Sequence, residues 1–358
     1  MDKHVIRARW IAAVAGILLA ATLPPIARAD LDDAAHRAPV KVVADKRLTV
    51  TTAAGKGDLA LYVSRDWSQP QPEITRAVIV IHGVLRNADV YNASALKAVK
   101  AAGAEATALA IVPQFLAEVD IPAHHLPPET LRWKRTGWEG GADAVGPAPI
   151  SSFEALDAIL ERVADRTLFP NLKLVVVAGH SGGGQVVQRY AILGRAESKL
   201  AEFGIPVRYV VANPSSYAYF SAERPDGKGG LAPYSGPACP GYNDWKYGMN
   251  DLPRYAGTAS VADLERTFAA REVRYLLGTA DTNPHHPALD VSCMAEAQGP
   301  YRLARGQAYF RYLRSRHLDD FHQSLSLVQG VGHDGDKMLT SACGLADLFD
   351  KPGCRAAP

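Results

Sequence analysis

Ser181 lies at the centre of Gly179-His180-Ser181-Gly182-Gly183, directly after the apolar segment Val175 to Ala178. A G-x-S-x-G spacing between a buried strand and a helix predicts a tight, strained turn, because side chains two positions either side of the serine would meet neighbouring backbone. Such a turn lifts a hydroxyl off the sheet edge. It also aims helix N-terminal amides, that of Gly182 among them, at a developing negative charge. The chemistry on offer is attack by an alcohol, which as a neutral group needs a base to take its proton. Phosphate cradling is excluded, since no Lys-Ser/Thr closes the loop and G-x-G-x-x-G is absent.

The elements that must position this serine are legible as alternating segments. Leu48 to Thr52 and Leu59 to Val63 read as a leading hairpin, and Ala77 to Ile81 as a strand buried on both faces that ends at His82-Gly83. Asn87 is the expected cap of a helix over 88–102, and Thr107 to Val112 is a strand stopped by Pro113. Ser151 with Glu154 forms a capping box opening a helix to about Arg166. Strand 172–178, helix 185–193, strand 207–212, helix 261–270, strand 273–277, helix 302–316, strand 324–328 and helix 337–349 complete the series. This alternation predicts an α/β fold with a mostly parallel central sheet and helices on both faces. Residues 114–150 and 213–260 interrupt it as Gly-, Pro- and aromatic-rich, lid-like insertions after strand C-termini, where open parallel sheets place their ligands.

On the Gly-His-Ser-Gly-Gly turn and the His82-Gly83 that follows an apolar strand, the chain resembles the α/β-hydrolase family over most of residues 30–358. The resemblance implies Ser181 as nucleophile, with the acid after a late strand and the histidine after the last. Asp281 follows strand 273–277, and His333 follows strand 324–328. Asp290 and Asp334 are the competing carboxylates, the first deeper in a loop and the second adjacent to the histidine. The resemblance further implies a backbone amide of Val84, with Leu85 as alternate, beside that of Gly182 in an oxyanion hole, and His82 as a buttress of the loop. A serine at the turn implies acyl transfer, most often from carboxylic esters. His82 to Tyr91, Asn243 to Gly248, and Leu289 to Cys293 followed by Ala297-Gln298-Gly299 also resemble a group of secreted bacterial and fungal members, and His82-Gly83 with Arg86-Asn87 is similar to polyester-depolymerase-like and feruloyl-esterase-like enzymes. Alternatives that remain open are a peptidase or amidase, a polyester depolymerase, and a non-catalytic binding protein on the same fold.

Specificity is expected from the insertions. Trp133, Trp138, Tyr242, Trp245 and Tyr247 either form an apolar, partly aromatic acyl or alcohol pocket, with Leu85 beside it, or pack the loops. Arg86 and Asn87 are candidates for substrate contact, Asn87 equally for the helix cap. The pairs His124-His125 and His285-His286 read as polar loop residues and not as metal ligands, for no H-E-x-x-H or similar spacing accompanies them. No cofactor or metal is implied.

The first 29 residues have the build of a secretory signal peptide. Lys3, Arg7 and Arg9 precede an uncharged run from Trp10 to Leu23, and Ala27-Arg28-Ala29 offers a small-x-small cleavage site. The run is shorter than the roughly 20 residues needed to span a bilayer. The expectation is a secreted or periplasmic protein with no membrane span after cleavage. The four cysteines allow three pairings, and proximity favours Cys343 with Cys354, leaving Cys239 with Cys293. Without Lys3, Arg7, Arg9, Arg28 and Asp2 the chain carries 35 basic against 36 acidic side chains, so nothing marks a nucleic-acid partner. The densest basic stretch, 302–316, is expected to be a solvated helix face. With 47% hydrophobic and 21% charged residues in 358, disorder, collagen and coiled coil are excluded. The expected partner is a small-molecule or polymeric ester.

Overall fold

Alternate residues of the central strands enter two separate cores, which is why those strands read as unbroken apolar runs. Ala77, Ile79 and Ile81 of β3 (Arg76–Ile81) face one way with Val175 and Val177 of β5 (Leu174–His180); Val78, Val80, Val176 and Ala178 face the other. The computed structural model describes residues 37–316 and 321–354. The expected leader over 1–29 lies outside the described residues.

The first face is covered by α2 (Ser152–Ala164) and α3 (Gly182–Leu193), whose Phe153, Leu156, Ile159, Val186 and Val187 are fully buried. The second is covered by α1 (Ala88–Ala101) and a C-terminal helix, through Ala95, Ala98, Leu348 and Phe349. With α4 (Val261–Ala270) adding Leu264 and Phe268 to the main core, helices lie on both faces, as expected. The sheet has eight strands in the order β1-β2-β4-β3-β5-β6-β9-β10. β1 (Lys46–Thr52) and β2 (Gly55–Val63) form the leading hairpin, and β2 pairs antiparallel with β4 (Ala108–Gln114). From β4 onward, β3, β5, β6 (Val207–Ala212), β9 (Glu272–Gly278) and β10 (Gln323–Val328) are all parallel. A short ribbon, β7 (Glu223–Pro225) with β8 (Leu231–Pro233), stands apart within the second insertion.

After β3 the chain moves to β4 on one side, then returns to β5 on the other. The C-terminal ends of β3 and β5 therefore flank the topological switch point, where open sheets leave a crevice. Their register pairs Ile81 with Gly179, bringing the His82-Gly83 loop beside the serine turn.

Several details differ from expectation. β4 runs through Pro113 to Gln114, because pairing with β3 ends at Ile111 and the missing N–H of Pro113 interrupts no ladder on that side. The expected helix 337–349 is two, α6 (Gly335–Thr340) and α7 (Ala342–Phe349), since the Ser341 hydroxyl caps the second by accepting from the Gly344 amide at 2.9 Å. Asn87 stands at the start of α1 but makes no side-chain cap hydrogen bond. The capping box at Ser151 is formed, with Phe153 N donating to Ser151 Oγ at 3.1 Å and Ser151 N to Glu154 Oε2 at 2.7 Å.

Both expected disulfides join the C-terminal third: Cys239 with Cys293 and Cys343 with Cys354. Among the described residues no helix is long and apolar enough to cross a membrane.

Candidate active site

The turn at Ser181 is as strained as its glycines suggest. Ser181 has φ +60° and ψ −123°, a conformation that costs about 1–3 kcal/mol for a residue with a Cβ and persists only where packing enforces it. Packing here is backbone on backbone. A Cβ on Gly179 would stand 2.3 Å from Gly183 O, and one on Gly183 only 2.1 Å from Ile81 O. Glycine at both positions lets α3 start directly against the ends of β3 and β5.

At this bend the Ser181 hydroxyl donates to His333 Nε2 at 2.9 Å, and His333 Nδ1 donates to Asp281 Oδ2 at 2.8 Å. Asp281 follows β9 and His333 follows β10, so parallel neighbours deliver the carboxylate and the imidazole to the same sheet edge. Burial disfavours charge on both partners. It raises the Asp281 carboxyl above its ordinary range against the opposing field of Arg302, and it lowers His333 well below the usual imidazole value, with Arg302 and His286 adding to the effect. The resting imidazole is thus neutral, with its Nε2 lone pair toward the serine, an arrangement able to take the hydroxyl proton.

The amides expected to hold an oxyanion are adjacent. A Cβ built on Gly182 would be 3.0 Å from Val84 N, and Gly182 opens α3, where the first amides have no partner within the helix. The loop carrying Val84 is propped by His82, fully buried. His82 Nδ1 donates to Gly83 O at 2.9 Å, and its Nε2 accepts from Phe115 N at 2.9 Å. Burial lowers this imidazole to about 4, so it stays neutral. The competing carboxylates are committed elsewhere. Asp290 accepts from Tyr247 Oη at 2.7 Å, and Asp334 caps α6 by accepting from Lys337 N at 3.1 Å.

A cleft of about 360 Å³ opens over Ser181 and His333, lined by Gly83, Val84, Leu85, Asn87, Val90, Tyr91 and Ser94, by His180, His286 and Ala288, and by 333–336. Leu85 belongs to it and is 46% exposed at the rim. The tryptophans do not. Trp133 and Trp138 are buried in the main core, where Trp138 stacks on Phe115 with ring centroids 5.3 Å apart and Trp133 meets the same ring edge-on at 5.2 Å. Trp245 is half-buried, tied by its Nε1 donating to Gly140 O at 2.6 Å. Tyr242 lies against Arg224, outside the cleft. Neither insertion lines the cleft, because the apolar rings of 114–150 face inward under the loop. Arg86, expected as a substrate contact, is instead buried in an ion pair with Asp120, its Nε 3.2 Å from Oδ2, and is not available to substrate.

Four residues near the serine escaped the sequence reading. Tyr91 and His180 line the cleft behind Ser181, His286 packs edge-on against His333 with centroids 4.8 Å apart, and Arg302 is fully buried with Nη1 3.5 Å from Asp281 Oδ1. Arg302 and Arg305, both at zero exposure, correct the expectation of a solvated helix over 302–316 (α5, Arg302–Arg316). Their i, i+3, i+7, i+10 spacing with Tyr309 and Tyr312 on the buried stripe was the signal that charge concealed. Of the paired histidines, His124 donates to Val40 O at 2.6 Å, while only His286 reaches the cleft.

No family model matches the sequence, and no curated protein matches it. Two solved structures are similar over nearly the whole chain. Poly(aspartic acid) hydrolase-1 from Sphingomonas sp. KT-1 has a TM-score of 0.58 at 23% identity, over 87% of this chain and 99% of that one. A poly(3-hydroxybutyrate) depolymerase from Bordetella parapertussis has a TM-score of 0.58 at 20% identity, over 91% and 96% respectively. At such identities the likeness speaks for architecture. With the six parallel strands, the switch point between β3 and β5 and the strained serine turn, it identifies this chain as a protein of the α/β-hydrolase fold.

Proposed function

We propose that the protein is an exported serine hydrolase of carboxylic esters, with Ser181 as nucleophile, His333 as general base and acid, and Asp281 as the group that orients the imidazole. The observation that carries this reading is the unbroken hydrogen-bonded series from Ser181 Oγ through His333 to Asp281. Ser181 attacks the ester carbonyl while its proton passes to His333 Nε2. The carbonyl oxygen becomes an oxyanion held by the Val84 and Gly182 amides, each such donor being worth about 3–4 kcal/mol in comparable sites. Collapse expels the alcohol, which leaves with the proton from His333, and water then cleaves the acyl-serine by the same steps in reverse roles. Export rests on the leader-like residues 1–29 and is supported by the two disulfides.

A polymeric ester is the second reading, favoured by the apolar open rim where Leu85 is 46% and Val90 51% exposed. The poly(3-hydroxybutyrate) depolymerase among the similar folds fits that reading without deciding it. The test is turnover of p-nitrophenyl esters of graded acyl length, matched amides, and an emulsified polyester. Hydrolysis of esters over amides, abolished in Ser181→Ala, is expected. Full turnover by that variant, or fluorophosphonate labelling of a different residue, overturns the proposal.

A further inference from the structure

Tyr91 stands in the first turn of α1 and lines the cleft, and its hydroxyl makes two contacts of its own. Its oxygen lies against the Gly83 backbone, where an added Cβ would stand 2.8 Å away, and it shares a hydrogen bond with His180 Nδ1 at 3.1 Å. We infer that this single hydroxyl is a positioning device that ties the loop presenting the Val84 amide to the turn presenting Ser181. The inference rests on the hydrolase reading of the same site.

The two tethered residues are the immediate neighbours of the groups that matter. Gly83 precedes Val84, and His180 precedes Ser181, so each contact lies one residue from an atom that must keep its place. Gly83 has to be glycine for the contact, since a Cβ there would stand 2.8 Å from Tyr91 Oη. Gly335 closes the other side: a Cβ on it would be 3.0 Å from His180 Nδ1 and 3.3 Å from Tyr91 Cε1. His180 is buried, its ring 4.5 Å from that of His333, and burial together with the fields of His333 and Arg302 keeps it neutral.

Tyr91→Phe keeps the ring and removes only the tether. The expected result is a fall of about tenfold in kcat with KM within about twofold, the pattern of a misplaced but still occupied site. Melting temperature is expected to hold, while hydrogen exchange at the Gly83 amide speeds up. Unchanged Gly83 exchange overturns the tether whatever the activity. Faster exchange with wild-type kcat overturns the positioning role, as does a loss confined to KM, which would make Tyr91 a substrate contact. A wild-type protein that turns over no ester, with Gly83 exchange accelerated in the variant, sinks the hydrolase reading and leaves the tether in place.

Discussion

Arg302 and His333 hold opposite oxygens of the same carboxylate: Arg302 Nη1 is 3.5 Å from Asp281 Oδ1, and His333 Nδ1 is 2.8 Å from Oδ2. Asp281 is 3% exposed and Arg302 not at all. The guanidinium also donates through Nε to Ser215 Oγ at 3.0 Å and through Nη2 to Ala288 O, so it fastens the loop that carries His286. Its charge lowers the proton affinity of His333 and offsets part of the burial that raises Asp281.

Removing that charge shifts the pH profile in a definite direction. In Arg302→Met both Asp281 and His333 take up protons more readily, and a protonated His333 cannot act as base. The acidic limb of kcat/KM therefore moves to higher pH, while Arg302→Lys keeps it near the wild-type position. Breaking the buried pair also lowers stability by about 3–5 kcal/mol. A limb that stays put in Arg302→Met contradicts the role assigned to the guanidinium.

Neighbouring glycines separate activity from folding. In Gly182→Ala the new Cβ meets Val84 Cγ1 at 2.8 Å and Val84 N at 3.0 Å, so the loop shifts away from the oxyanion position. Loss of one such donor lowers kcat by about 10²–10³ with little change in melting. In Gly183→Ala the Cβ would lie 2.1 Å from Ile81 O and 2.7 Å from His82 O, both backbone atoms that cannot yield without moving β3. Melting temperature is expected to drop sharply in Gly183→Ala alone; equal drops in both variants would refute the distinction.

Asp347 gives stability its own pH dependence. Burial on α7 raises its carboxyl to about 6, against the pull of Arg274 and Arg208, and its Oδ2 has no hydrogen-bond partner. A folded-state value above the unfolded one means the folded form binds more protons, so this group costs stability as pH rises through that interval. The shift corresponds to about 3 kcal/mol above pH 6. Asp347→Asn should be more stable than wild type at pH 8 and gain little at pH 4, as read by denaturant midpoints at the two values.

The disulfides differ in reach. Cys239 with Cys293 closes 54 residues and ties the second insertion to the segment after His286, whereas Cys343 with Cys354 closes 11. Chain entropy assigns about 4 kcal/mol to the first and about 3 kcal/mol to the second. Cys239→Ser with Cys293→Ser is expected to lose more stability and also ester turnover. Turnover unaffected by that pair would show that the His286 segment keeps its place without the link.

Much of this architecture was legible because it is set by short-range patterns. A strand buried on both faces must read as Ala-Val-Ile-Val-Ile, and a chain bending at Gly179-His180-Ser181-Gly182-Gly183 must use glycine where backbone meets backbone. Alternation of such strands with capped helices leaves a parallel sheet as the solution, and chain order along it brings Asp281 and His333 to the edge that holds Ser181. What only the tertiary structure decided is which way side chains face where no period constrains them. Trp133 and Trp138, in an irregular loop, turned into the core because burying an indole outweighs exposing it. Arg302, in a run of charges, turned inward because the Asp281 carboxylate, just past a strand end, was there to compensate it. Tyr91 and His180 met because β3 and β5 are neighbours in the sheet, a fact of pairing that neither local segment contains.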